Sequence, residues 1–163
     1  MQLEEFNALS VEDATTTVRP CVDIDSWVDA LVDGRPYADL DALVALADAQ
    51  ARGWSGVEVE KALADHPRIG ERHQGGGASA GMSRSEQAGV DPRDADVQER
   101  LAAGNAAYEE RFDRIYLVRA AGRSAEEILA LLEERLTNDP ETEIAVTSGQ
   151  LREIGRASCR ERV

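Results

Sequence analysis

The sequence is poor in the groups that build metal centres, disulfide frameworks and nucleic-acid interfaces. Its 163 residues hold two cysteines and two histidines. The spacing of Cys21 and Cys159 suggests neither a metal motif nor a disulfide scaffold, which fits a reducing compartment. Basic residues are short as well: 18 Lys and Arg stand against 32 Asp and Glu, a net charge of -14. Such a self-repelling surface favours solubility and disfavours nucleic acid, an anionic membrane or a phosphate ligand. No apolar run approaches the ~20 residues that cross a bilayer. The opening "MQLEEFNALS" is acidic where a secretory signal is basic and then apolar, so a cytosolic protein without membrane partners is expected. No segment alternates apolar and polar residues with period two, so strands have no signature here.

What the chain does have is helical periodicity along nearly its whole length. We read an all-α, single-domain bundle of roughly seven or eight helices, in keeping with a length near that of one typical domain. Helix starts are signalled by Ser10 before Asp13, Ser124 before Glu127, and Asp139 before Pro140. Leu40, Leu43, Val44 and Ala47 form one apolar stripe, and Val59 and Leu63 a shorter one that stops at His66-Pro67. The longest stripe follows Asp91-Pro92 and runs through Val97, Leu101, Tyr108, Phe112 and Ile115 as a central helix. Ile128, Leu131, Leu132 and Leu136 share one face of the next helix; Ile144, Leu151 and Ile154 mark the last.

Residues 70 to 82, "GERHQGGGASAGM", make the one long irregular stretch, and chemistry-bearing residues stand at its two borders. His66 ends a helix, where the dipole favours a histidine for structural reasons alone, but it is also the side chain that titrates nearest neutrality. Ser83 to Glu86 reads as a capping box whose free backbone N–H groups can also hold an anionic or carbonyl ligand, with the Gln87 amide beside them. His73 lacks a metal-ligand spacing to His66, so no metal site is expected. Gly75, Gly76 and Gly77 neither follow a strand nor precede Lys-Ser/Thr and are not a phosphate loop. Arg119 and Arg123 read as basic residues at the end of the long helix, pairs such as Glu109-Glu110 and Glu133-Glu134 as solvated faces, and Trp27 and Trp54 as packing or interface residues.

The C-terminal stretch Ile154 to Val163, "IGRASCRERV", departs from the rest. It switches from acidic to basic composition, breaks the apolar periodicity before it, and matches one reading frame of a common sequencing-adapter oligonucleotide residue for residue. We expect the helical domain to occupy residues 1 to 153, and residues 154 to 163 to be translated read-through.

Taken in order, "FNAL" at Phe6, Cys21 and Trp27, "RPY" at Arg35, "HPRIGER" at His66, "SRSEQAGVD" at Ser83, "NAAYEERF" at Asn105, "AAGRSAEEIL" at Ala120 and "RLTNDPETE" at Arg135 resemble one family. It is the 2-oxo-4-hydroxy-4-carboxy-5-ureidoimidazoline (OHCU) decarboxylase family, whose members yield (S)-allantoin in urate degradation. The resemblance spans roughly residues 3 to 154. It implies an all-helical, cofactor-free and metal-free carboxy-lyase, a homodimer with OHCU as its small-molecule substrate. It also implies a catalytic role for His66 with Glu86 as its polar partner, and substrate contacts from Pro67, Ser83, Gln87 and the backbone at Leu117 and Val118. The chemistry suits those groups: loss of CO2 leaves an electron pair that the ring absorbs and a proton that must be delivered from one face.

The chain departs from the family pattern twice. The family often places Phe-Gly where this chain has Phe112-Asp113, and it carries a carboxylate-binding arginine near the position of Ser158. Arg156 and Arg160 lie close, inside the adapter-like stretch, and take no assigned role. Weak binding of the substrate carboxylate is therefore expected. The competing reading, from another class, is a non-catalytic helical binding module in which His66 and the capping box are purely structural.

Overall fold

The computed structural model describes residues 1–64, 66 and 95–163, and among these it contains eight α-helices and no strand. The all-α reading is borne out. The helices are α1 (Leu3–Ala8), α2 (Val11–Val18), α3 (Asp25–Asp33), α4 (Leu40–Ala51), α5 (Gly56–Leu63), α6 (Ala95–Phe112), α7 (Ala125–Arg135) and α8 (Pro140–Arg162). They fall into two compact units, one of Met1–Ala62 with Ser148–Val163 and one of Leu63–Thr147. None of these helices is long and apolar enough to cross a membrane.

Three helix starts are those the sequence signals. Ser10 Oγ accepts from the Asp13 N–H at 3.0 Å, Ser124 Oγ from Glu127 at 3.1 Å, and Asp139 Oδ1 from Thr142 at 2.7 Å. Each satisfies one of the donors that a helix N-terminus leaves open. At α5 the cap is reciprocal: Ser55 Oγ accepts from the Glu58 N–H, and Glu58 Oε1 accepts from the Ser55 N–H.

In the first unit, Trp27 is buried on α3 and donates its indole N–H to the Ala47 carbonyl of α4 at 2.9 Å, while Trp54 meets its ring edge-on. Both tryptophans thus act in packing, as expected. Arg35 ties down the end of α1 by donating to the carbonyls of Phe6 and Leu9 at 3.0 and 2.7 Å. On α8, Leu151, Gly155 and Cys159 are all buried. A Cβ on Gly155 would stand 3.1 Å from Val22 Cγ2, so the missing side chain lets α8 approach this core. Cys159, one turn further on, meets the thiol of Cys21. That hydrogen bond, together with burial, raises the Cys159 pKa well above the ordinary thiol range. Their separation in sequence gave no reason to pair them.

α8 continues past residue 154 to Arg162. Its buried register runs on through a glycine and a cysteine, residues that a count of large apolar side chains passes over. Arg152 and Arg156 approach the Asp48 carboxylate at 3.4 and 3.7 Å, and Arg160 pairs with Asp41 at 3.1 Å.

In the second unit, α6 and α7 pack around Leu101, Tyr108, Phe112, Tyr116, Val118, Ile128, Leu129 and Leu132. Gly104 allows the contact, since a Cβ there would stand 2.6 Å from Leu132 Cδ2. The long helix ends at Phe112 rather than running through Ile115. The cause is Asp113, whose φ of 55° lies in the left-handed region that breaks α-helix geometry. Because α6 stops here, Arg119 and Arg123 are not at its C-terminal end; Arg123 Nε instead donates to the Arg119 carbonyl at 3.2 Å.

Candidate active site

The site residues expected from the sequence divide into two groups. His66, Leu117 and Val118 belong to the second unit. Pro67, Ser83, Glu86 and Gln87 lie outside the described residues, as do His73, Gly75, Gly76 and Gly77. Among the described residues no cluster of three or more His, Cys, Asp or Glu is arranged to hold a metal ion.

His66 follows the last turn of α5 and is half-buried. Its backbone N–H donates to the Leu63 carbonyl at 3.0 Å. That bond satisfies one of the carbonyls a helix C-terminus leaves open. Leu63 is buried, so the turn that carries the imidazole is fixed at its root by apolar burial.

Leu117 and Val118 lie in the non-helical stretch between Asp113 and α7, and both side chains are buried. Three neighbouring attachments hold this stretch. The Tyr116 hydroxyl donates to the Ile128 carbonyl of α7 at 3.0 Å, the Leu117 carbonyl accepts from Arg135 Nη1 at 2.6 Å, and Val118 sits in the apolar cluster.

Arg135 is the centre of a buried polar network that the sequence reading passed over. Its Nε donates to Glu143 Oε1 at 2.8 Å and its Nη2 to Thr147 Oγ1 at 3.1 Å, with an ion-pair distance of 2.6 Å to Glu143. Tyr108 donates to Glu143 Oε1 at 2.5 Å and Asn138 Nδ2 to Oε2 at 3.0 Å. The guanidinium carbon also lies 4.8 Å from the Tyr116 ring centroid and 5.8 Å from that of Tyr108. A buried charge is tolerable only with such partners, and here both ions have them. Burial alone pushes the Glu143 carboxyl pKa up, but its hydrogen bonds from Arg135, Tyr108 and Asn138 outweigh it, so the net shift is downward.

A signal for this network was present in the sequence. Arg135 follows Ile128 and Leu132 at helical spacing, and Glu143, Thr147 and Leu151 repeat every four residues on α8. These positions read as one buried face in which two charges and a hydroxyl replace aliphatic side chains. The sequence marks for this helix are Ile144, Leu151 and Ile154; Leu151 lies on the buried face, while Ile144 and Ile154 are only half-buried.

The OHCU decarboxylase family model matches residues 7–158. The 2-oxo-4-hydroxy-4-carboxy-5-ureidoimidazoline decarboxylase of Amia calva is 34% identical over 151 residues, covering 88% of this chain and 83% of that protein. Among solved structures, OHCU decarboxylase crystallised in the presence of (S)-allantoin superposes with a TM-score of 0.70 at 20% identity, over 88% of this chain and 94% of that one. (S)-allantoin synthase gives a TM-score of 0.75 at 15% identity over 100% of this chain, which spans 54% of that one. The family match covers the segments that hold His66, Leu117, Val118 and the Arg135 network, and the relative from Amia calva is identical at about a third of the aligned positions; the chain belongs to the OHCU decarboxylase family.

Proposed function

We propose that the chain decarboxylates OHCU to (S)-allantoin, with His66 as the acid–base catalyst and Glu86 as its polar partner. Membership of a family named for this reaction carries the proposal. The half-buried placement of His66 supports its role, because such a ring can reach both a ligand and solvent-derived protons. Pro67, Ser83, Gln87 and the backbone of Leu117 and Val118 bind the substrate in this reading.

The reaction breaks the bond between the ring carbon and the carboxylate. CO2 leaves, the electron pair passes into the ring, and a proton from one face completes the product. A proton delivered from a fixed imidazole gives a single enantiomer, whereas spontaneous decay in water gives both. The ring takes the charge itself, so we propose that no metal or electron-sink cofactor takes part. We propose further that the protein works as a cytoplasmic homodimer.

The stretch Ile154–Val163 is, in our proposal, foreign in origin although it continues α8. Genomic reads that continue to encode "GRASCRERV" would overturn that origin. The functional reading is tested by His66→Asn: a folded protein that no longer speeds OHCU decay supports it, and an unchanged rate overturns it.

A further inference from the structure

We propose that Arg135 is a positioning residue of this decarboxylase, which holds the Leu117–Val118 peptide so that the Val118 N–H donates to an oxygen of the bound ligand. The inference rests on the reading above, in which this backbone faces the substrate.

The carbonyl of Leu117 and the N–H of Val118 belong to one planar trans peptide, so they point in opposite directions. Arg135 Nη1 holds that carbonyl at 2.6 Å from the buried side of the stretch. Fixing the carbonyl therefore aims the N–H the other way. A cationic donor also polarises the amide and strengthens the N–H as a donor in its turn.

The guanidinium has little freedom to release this grip. Glu143, Thr147 and two tyrosine rings hold it on its remaining edges and faces. Tyr116, the preceding residue, is anchored to Ile128 and Val118 is packed in the core, so the peptide between them has nowhere to rotate. Lysine cannot replace this fork, since one ammonium lacks the planar geometry that serves the carboxylate and the carbonyl together.

The test compares Arg135→Lys, which keeps a charge beside Glu143, with Leu129→Ala, which weakens the same core without touching the network. We expect Arg135→Lys to raise KM on the order of tenfold, the worth of one well-placed hydrogen bond. Leu129→Ala should lower Tm and leave KM unchanged. A KM for Arg135→Lys equal to that of Leu129→Ala overturns the inference. Should Arg135→Lys not fold, the unsubstituted protein decides by titration with (S)-allantoin and amide NMR. Movement of the Val118 resonance supports the inference; a fixed Val118 resonance while that of His66 moves overturns it. Loss of activity in His66→Asn with no KM effect in Arg135→Lys would leave the function standing and this role refuted, whereas full activity in His66→Asn would remove both.

Discussion

The Arg135 guanidinium and the Glu143 carboxylate form an ion pair at 2.6 Å with both side chains almost wholly removed from water. Eight positions and a short turn separate them, from the end of α7 to the first turns of α8. The pair fixes that turn, and through the Leu117 carbonyl it also fixes the stretch between α6 and α7.

This pair should set the acid limb of stability. The folded Glu143 pKa is depressed, so its contribution is present above the ordinary carboxylate value of 4.5 and is lost as pH falls through the folded value. Glu143→Gln should cost about 3–5 kcal/mol at neutral pH, because it leaves the Arg135 charge buried without its counter-ion. The variant should also lose less stability than the parent on acidification below about pH 4. Urea unfolding as a function of pH measures both effects; parallel curves would contradict the assignment.

Much of the fold was legible beforehand because local rules and tertiary packing agree. Ser10, Ser124 and Asp139 start helices by capping chemistry, which needs no knowledge of the rest of the chain. The errors arose where one residue overrides a pattern. Ile115 continues the apolar spacing of α6, but Asp113 turns the chain before it. Gly155 and Cys159 continue α8 by close approach and small-side-chain burial, which hydropathy undervalues. Arg135 and Glu143 stand at buried helical spacing but read as surface charges, because each is buried only by virtue of the other. For the site, the motifs around His66 carried the reading; Glu86 and Gln87 remain assigned by their place in those motifs.

The tyrosines offer an alkaline counterpart. The chain has three, Tyr37, Tyr108 and Tyr116, all buried. Burial pushes Tyr37 and Tyr116 up to about 12, and burial together with the bond to Glu143 raises Tyr108 above its ordinary value of 10.0. Raised folded values mean that their stabilising contribution is complete below about pH 10 and is lost as pH rises through the folded values. Ultraviolet titration should therefore show no tyrosinate band growing near pH 10 while the protein stays folded. One tyrosine titrating normally there would contradict this burial.

Asp113→Gly should stabilise the second unit. A left-handed residue with a side chain carries a steric cost that glycine escapes, so a gain of about 0.5–1 kcal/mol is expected. Thermal unfolding would show it as a raised Tm, and a lowered Tm would mean that the aspartate contributes more than it costs.

Ser158→Arg addresses the missing carboxylate anchor. On the proposed family alignment it should lower KM for OHCU by roughly tenfold to a hundredfold, the range of a charge-assisted hydrogen bond. Steady-state kinetics beside the parent chain would reveal the change; an unaltered KM would show that the anchor lies elsewhere.

The central claim is tested most directly by generating OHCU from urate by oxidation and hydrolysis, adding the protein, and following the optical activity of the allantoin formed. The account expects (S)-allantoin in excess with the parent chain and optically inactive product with folded His66→Asn. Racemic allantoin at the spontaneous rate from the parent chain, or undiminished stereospecific turnover by His66→Asn, would contradict it.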